Sequence, residues 1–322
     1  MDKKYLRIID ANANRAVEGL RVIEEILRLI MEDEKNTRKI KQIRSKIRQS
    51  IKQLGLLERE AGKDVGSRSY TRSESSRIDL LAVFSANVKR VQEALRVLEE
   101  FSKLIDEKQG KVFKALRFES YCLEKDIFYN IVKKLKLDFD LYLVTDPQFD
   151  PLNTVKKALK KGVKIVQFRD KYAKKEQFLR MAKDLKKITD KHKAVFIVND
   201  HLDIAKTIDA DGVHLGQEDG SIIKARKILG LSKIIGRSVQ TLAQAIQAQK
   251  QGADYLGVGP IFKTPIKPNE KVVGLKILKQ IVKKVKLPVV AIGGIDRSNL
   301  SKILKTSCIR YATIRGVFSL LR

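Results

Sequence analysis

The hydrophobic pattern of this chain changes period near residue 138, and no other feature of the 322 residues constrains the fold as strongly. Before that point apolar residues recur every three or four positions: Ala16, Leu20, Ile23, Leu27 and Ile30, then Ile40, Ile43, Ile47, Ile51 and Leu54. That is the spacing of helices burying one face. A glycine-containing stretch, EREAGKDVGSRSYTRS, interrupts it, and helical periodicity resumes over about 77–105 and about 111–135. From residue 138 short β-branched runs alternate with amphipathic segments. The runs are LYLVT (141–145), KIVQFR (164–169), AVFIVN (194–199), GVHLG (212–216), IIGRSV (234–239), DYLGVG (254–259), PVVAIG (288–293) and YATI (311–314). Eight such units predict a compact (β/α)8 TIM barrel over 138–322, preceded by an all-α domain over 1–137. The third connection, around DIAKTI, is short, and the GVFSLLR that follows the last strand leaves room for a short final helix or none.

The helical half repeats itself. NANRAVEGLRVIEE (12–25) aligns with NVKRVQEALRVLEE (87–100), with Asn12, Arg15, Glu18, Leu20, Arg21, Val22, Glu24 and Glu25 matching Asn87, Arg90, Glu93, Leu95, Arg96, Val97, Glu99 and Glu100. Two related helices around a pseudo-twofold axis would produce this. At 100° per residue Arg15, Glu18, Arg21 and Glu25 lie opposite the apolar stripe. They read either as a solvated face of ion pairs or as a polar site shared between the helices.

Lys+Arg 67 against Asp+Glu 38 gives a net charge of +29. The lysines are spread over nearly every helical segment, aromatics are 6% and Trp is absent, so the charge reads as a lysine-rich surface that draws in phosphorylated small molecules, with no nucleic-acid partner expected. No apolar run approaches the roughly 18 residues of a membrane span. The opening MDKKYLRIIDANANR lacks a signal-peptide core, so no membrane partner and a cytoplasmic location are expected. Cys122 and Cys308 make neither a disulfide framework nor a zinc site and are expected as buried thiols.

Chemistry in such a barrel gathers at the carboxyl ends of the strands. The second strand ends in QFRDK, where the period of two puts Gln167, Arg169 and Lys171 on one face: a polar group beside two cations, suited to a base next to a phosphate, or to simple solvation of the barrel mouth. The third ends in Asn199-Asp200 and the fourth runs into HLGQED with Asp219. Two carboxylates from adjacent loops can hold one Mg2+ with waters and phosphate oxygens, whereas Asp219 alone could cap a helix starting near Ser221. His214 reads as a core histidine or as a hydrogen-bonding partner for a bound heterocycle. The sixth loop, GVGPIFKTPIKPNEKVVG, offers Thr264 and Lys267. Strand seven ends in Gly293-Gly294 and strand eight in Ile314-Arg315-Gly316, the places where backbone N–H groups of this fold cradle phosphate.

LYLVTD, QFRDK, VND, DGVHLGQED, GRSVQT, GADYLGVGPIFKT and VAIGGI occur in this order over about 183 residues, and together they resemble the thiamine-phosphate synthase family. The resemblance implies a transferase that joins hydroxymethylpyrimidine diphosphate to thiazole phosphate and releases pyrophosphate by a dissociative, Mg2+-assisted route. It implies that Gln167, Phe168, Arg169, Asp170, Lys171, Asn199, Ser238 and Lys267, with His214, contact the pyrimidine diphosphate, and that Arg169, Lys171, Lys267 and Ser238 serve catalysis. Asp200 and Asp219 become the metal ligands, and Thr264, Pro265, Ile266, Gly294, Ile314 and Arg315 the thiazole-phosphate site. Two positions depart from the family pattern. Ile266 stands where T-x-T-K has its second threonine, and Arg315 where a small residue is frequent.

DANANRAVEGLRVIEE, KDVG and NVKRVQEALRVLEE resemble the helical domain found ahead of such synthases, read as a hydroxymethylpyrimidine-phosphate kinase, which implies ATP as co-substrate. This half has no GxxxxGK[ST] loop. An ATP site therefore falls to side chains, with Asn12, Arg15, Glu18, Arg21, Asp64, Arg90, Glu93 and Arg96 as candidates. The competing reading is a thiazole-phosphate isomerase-like barrel, which is expected to lack the full set of Arg169, Lys171, Asp200 and Asp219, carrying a non-catalytic helical module that makes the chain a homo-oligomer.

Overall fold

In the computed structural model, which describes residues 3–53, 77–266 and 269–321, the first part of the chain is helical. It comprises α1 (Lys3–Glu25), a π-helical turn (Ile26–Ile30), α2 (Glu34–Gln53), α3 (Leu80–Ser102) and α4 (Glu107–Lys136). The Asp79 carboxylate starts α3 by accepting the Ala82 amide at 2.7 Å. Tyr5 near the start of α1 meets Phe101 near the end of α3, while Gly19 lies against Asn87 and Val91, so these two helices pack antiparallel. Their apolar stripes close on α2 and α4 around Ile9, Leu20, Leu27, Ile43, Ile47, Phe84, Leu95, Phe113 and Ile131. Each such side chain contributes about 1.5–3 kcal/mol over leaving it in water.

The chain divides into two compact units, Met1–Lys134 and Leu135–Arg322. The second is a closed parallel barrel of β1 (Leu141–Val144), β2 (Ile165–Phe168), β3 (Val195–Asn199), β4 (Gly212–Leu215), β5 (Ile234–Val239), β6 (Tyr255–Val258), β7 (Val289–Ile292) and β8 (Arg310–Thr313). Each strand pairs with the next and β8 with β1. The connecting helices are α5 (Pro151–Lys160), α6 (Lys175–Lys191), α7 (Leu202–Thr207), α8 (Ile222–Leu229), α9 (Leu242–Gln251), α10 (Gly274–Lys284), α11 (Leu300–Leu304) and a single final turn, α12 (Val317–Leu320). Alternation along the strands creates two cores. Phe168, Phe196, Val213 and Leu256 face the helices, whereas Tyr142, Ile165, Ile197, Ile234, Tyr255 and Val290 fill the lumen.

Two details differ from the sequence reading. Cys122 is exposed, because it falls on the outward side of α4 next to the inward Leu123; only Cys308 is buried, and burial pushes its thiol up. The cap of α8 is Ser221, whose hydroxyl accepts from Ile223 N at 3.2 Å, which frees Asp219 from that task. No described helix is long and apolar enough to cross a membrane.

Candidate active site

The carboxyl ends of the strands open into a cavity of about 830 Å³, within the range of small-molecule sites. Gln167, Arg169 and Lys171 line it together, as do Asn199, Asp200, His214, Asp219 and Ser238. Two members of the QFRDK run turn elsewhere. The Phe168 side chain points outward and packs on Phe178 with ring centroids 4.3 Å apart, as period two requires of a residue beside inward Gln167. The Asp170 carboxylate accepts from its own loop, from Tyr172 N at 2.9 Å and Ala173 N at 3.1 Å. Both side chains are therefore corrected from ligand contacts to packing and loop shaping. Lys267 lies outside the described residues.

Asp200 directly follows β3 with a left-handed φ of 62°, and its amide donates to His214 O at 2.9 Å. Asn199 donates its side-chain amide to one Asp200 oxygen. Asp219 folds back so that its carboxylate accepts the Gly216 amide at 2.8 Å and meets Asp200 in a carboxyl–carboxylate hydrogen bond. Burial, then the hydrogen bond and charge of Asp219, push the Asp200 carboxyl up to about 7, against the opposing charges of Lys171 and Arg169. Burial alone would raise Asp219 too, but the proton offered by Asp200, the Gly216 amide and Lys171 hold it below its ordinary value. Two half-buried carboxylates sharing one proton form a set that a small divalent cation can take over. No group of three or more metal-type side chains occurs among the described residues, so such an ion would complete its shell with water and substrate oxygens.

Below this pair lies a polar floor. Gln167 Nε2 donates to the Tyr142 hydroxyl at 3.0 Å, Tyr142 and Tyr255 hydroxyls are 2.8 Å apart, and His214 bridges Tyr255 (2.9 Å from Nδ1) and Ser238 (2.8 Å from Nε2). His214 is thus both a buried histidine and a cavity group. Tyr142 and Tyr255 escaped the sequence reading, because in LYLVT and DYLGVG a tyrosine counts only as one more strand apolar residue.

On the opposite side the loops after β6, β7 and β8 converge. Phe262 N donates to Gly293 O at 3.0 Å, and a Cβ on Gly294 (φ 65°) would sit 2.4 Å from Lys263 O, so only glycine lets these two loops approach. Thr264, Pro265, Ile266, Gly294, Ile314 and Arg315 all line the cavity, joined by Lys263 and Glu270, which the sequence reading did not single out. Arg315 is clamped to the loop after β1, by Asp146 Oδ2 at 2.9 Å and Gln148 Oε1 at 2.7 Å, with its guanidinium 5.6 Å from the Phe149 ring centre.

In the helical unit the repeated residues take matching places. Asn12 and Asn87 are buried, each donating at 2.8 Å to the carbonyl four residues back. Arg15, Glu18, Arg90 and Glu93 are exposed. Arg21 pairs with Glu24 and Glu25, and Arg96 with Glu99 and Glu100. Glu24 and Glu99 are themselves buried, and a second arginine reaches each from the following helix, Arg44 on α2 and Arg117 on α4. These pairings join the two helices of each repeat. Asp64 lies outside the described residues.

A closed (β/α)8 barrel with a cationic, carboxylate-bearing cavity at the carboxyl ends of its strands is the build of a barrel enzyme. The chain belongs to the thiamine monophosphate synthase family: that family's model matches residues 141–317, and the ThiD2 family model matches residues 7–126 ahead of it. A thiamine-phosphate synthase of Synechocystis sp. is 41% identical over 97% of this chain and 91% of its own length. One of Thermosynechococcus vestitus is 40% identical over 98% and 91%. Among solved structures, the thiamine phosphate pyrophosphorylase from Pyrococcus furiosus is 40% identical, with a TM-score of 0.53, covering 57% of this chain and 92% of that one.

Proposed function

We propose that the barrel joins 4-amino-2-methyl-5-hydroxymethylpyrimidine diphosphate to 4-methyl-5-(2-phosphooxyethyl)thiazole, releasing pyrophosphate, and that the helical unit phosphorylates hydroxymethylpyrimidine phosphate with ATP. The observation that carries the first part is the Asp200–Asp219 pair facing Arg169 and Lys171 in one cavity. Two cations beside a proton-sharing carboxylate pair suit a diphosphate arriving with a divalent counter-ion, and ill suit a neutral ligand. The second part rests on the ThiD2 match and on the chemistry of the fusion, since the product of one step is the substrate of the other.

Asp200 and Asp219 would hold Mg2+, whose charge when bound offsets that of the diphosphate. Arg169 and Lys171 stabilise the diphosphate as the C–O bond to the pyrimidine methylene breaks and its electron pair leaves with the oxygen. Gln167 and Ser238 hold the ring on the polar floor. The loops after β6, β7 and β8 orient the thiazole phosphate so that the thiazole nitrogen captures the methylene cation. No protein nucleophile takes part.

The test is a full-chain assay for thiamine phosphate. With the diphosphate it should form without ATP; with the monophosphate it should form only with ATP. Asp200→Ala and Lys171→Ala should each lower turnover with the diphosphate by about 10²-fold or more, while ATP-dependent phosphorylation continues. Near-wild-type turnover in both variants would refute the assigned roles, and absence of ATP-dependent phosphorylation would refute the kinase.

A further inference from the structure

Five side chains from five different strands form one unbroken hydrogen-bonded line across the barrel floor: Gln167, Tyr142, Tyr255, His214 and Ser238. Its direction follows from the chemistry of one end. Gln167 Nε2 can only donate, and it donates to the Tyr142 oxygen. The Tyr142 proton then has a single acceptor among the described residues, the Tyr255 oxygen at 2.8 Å. Were Tyr255 the donor, Tyr142 would receive two protons and find no protein acceptor among the described residues for its own, an arrangement that folded proteins avoid. Tyr255 must therefore donate to His214 Nδ1. An imidazole accepting at Nδ1 is neutral and carries its proton on Nε2, which donates to Ser238 Oγ. What is left over faces the cavity: the Ser238 proton at one end and the Gln167 carbonyl at the other, both groups lining it.

We infer that Tyr142, Tyr255 and His214 are positioning residues that lock the hydrogen-bond polarity of the floor, so that Gln167 presents an acceptor and Ser238 a donor to the ligand. The complementary ligand is a heteroaromatic ring with an exocyclic amino group toward Gln167 and an acceptor toward Ser238, an aminopyrimidine and not its oxo counterpart. In naming the ring this rests on the reaction proposed above. Gln167 cannot turn its amide to receive an oxo group without reversing every bond in the line. The packing is built for this arrangement: a Cβ on Gly236 would lie 2.2 Å from Tyr255 Cζ and 2.5 Å from His214 Nδ1, so glycine is needed to seat the pair. Burial pushes both phenols well above their ordinary range, which keeps the hydroxyl protons in place.

The first test needs neither substrate nor a variant of the line. Nitrogen NMR of the 15N-labelled full chain, with the three histidines assigned through His192→Gln and His201→Gln, should show His214 protonated at Nε2 and unprotonated at Nδ1. A proton on Nδ1 would overturn the inference. The second test compares kcat/KM for the amino- and oxo-pyrimidine diphosphates. Tyr255→Phe and Tyr142→Phe should each lower that discrimination by about tenfold or more, since the site loses its fixed polarity, with KM for thiazole phosphate unchanged within about twofold. Unchanged discrimination in folded variants, judged by an unaltered melting curve, would overturn it; should the variants fail to fold, the tautomer decides. Failure of the unaltered chain to make thiamine phosphate at all would sink the proposed reaction and leave the tautomer result standing.

Discussion

At the scale of the residue, Asp200 is the group whose titration matters most. Its carboxyl is pushed up to about 7 in the folded protein, against about 3.9 in an unfolded chain. The folded state thus binds an extra proton between those values. The stability this contributes is complete below about pH 4 and is lost as pH rises through about 7. In metal-free protein the melting temperature should fall between pH 5 and 8, and Asp200→Asn should flatten that fall. Magnesium binding to the pair must displace the proton, so affinity should drop about tenfold per unit below pH 7. Calorimetry at pH 6.5 in buffers of different ionisation heat should register about three-quarters of a proton released per ion. Release of none would mean that the pair does not bind the metal. A second residue-scale prediction concerns Ile266, which lines the cavity beside Thr264 and offers no donor. Ile266→Thr should lower KM for thiazole phosphate by about 10-fold or more, the worth of one added hydrogen bond to a charged group, with KM for the diphosphate unmoved in steady-state assays.

At the scale of the element, the repeat of α1 and α3 is held by buried carboxylates. Burial would raise Glu99, but the hydrogen bonds and charge of Arg117, with Arg96 and Lys103 behind them, hold it below its usual range. Its stabilising contribution is therefore present above the unfolded carboxylate pKa and is lost as pH falls through the lower, folded one. Arg117→Met should destabilise the helical unit by about 1–3 kcal/mol, because Glu99 loses its buried partner and keeps only the half-exposed Arg96 and Lys103. Adding Glu99→Gln should recover much of that loss in chemical denaturation. How far such elements can be read from sequence depends on where their partners lie. The β-strands were legible because alternation is local, and the observed bounds of β1–β8 fall within a residue or so of the β-branched runs. Gln167, Arg169 and Lys171 were legible for the same reason. Glu24 and Glu99 showed as repeated letters, but their burial was not legible. It depends on Arg44 and Arg117, which sit on other helices with no fixed spacing to them. The tyrosine line was invisible because closure of the barrel, and not any local pattern, brings β1, β6 and β4 into register around one floor.

At the scale of the whole molecule the excess of 67 basic over 38 acidic residues acts as a field and not as a set of contacts. Most of the lysines lie on exposed helix faces such as those of α6 and α10, too dispersed to build a site of their own. Their summed potential nevertheless falls on every anion that approaches, and each substrate proposed here carries phosphate. Field-driven capture works on encounter and vanishes with screening, since the Debye length shrinks from about 30 Å at 0.01 M salt to about 8 Å at 0.15 M. Chemistry inside the cavity is governed by Arg169, Lys171 and the carboxylate pair at contact distance, where mobile ions screen poorly. The two contributions therefore separate experimentally. Raising salt from 0.01 to 0.15 M at constant free magnesium should lower kcat/KM for the pyrimidine diphosphate by about 3- to 10-fold through the encounter rate, and leave kcat within about twofold. Lys→Glu changes at four exposed α6 and α10 positions remote from the cavity should reproduce the effect of salt at low ionic strength and abolish it thereafter. If kcat fell in parallel with kcat/KM, the charge would be acting on the bound complex, and the dispersed lysines would need a structural role that their exposure does not provide.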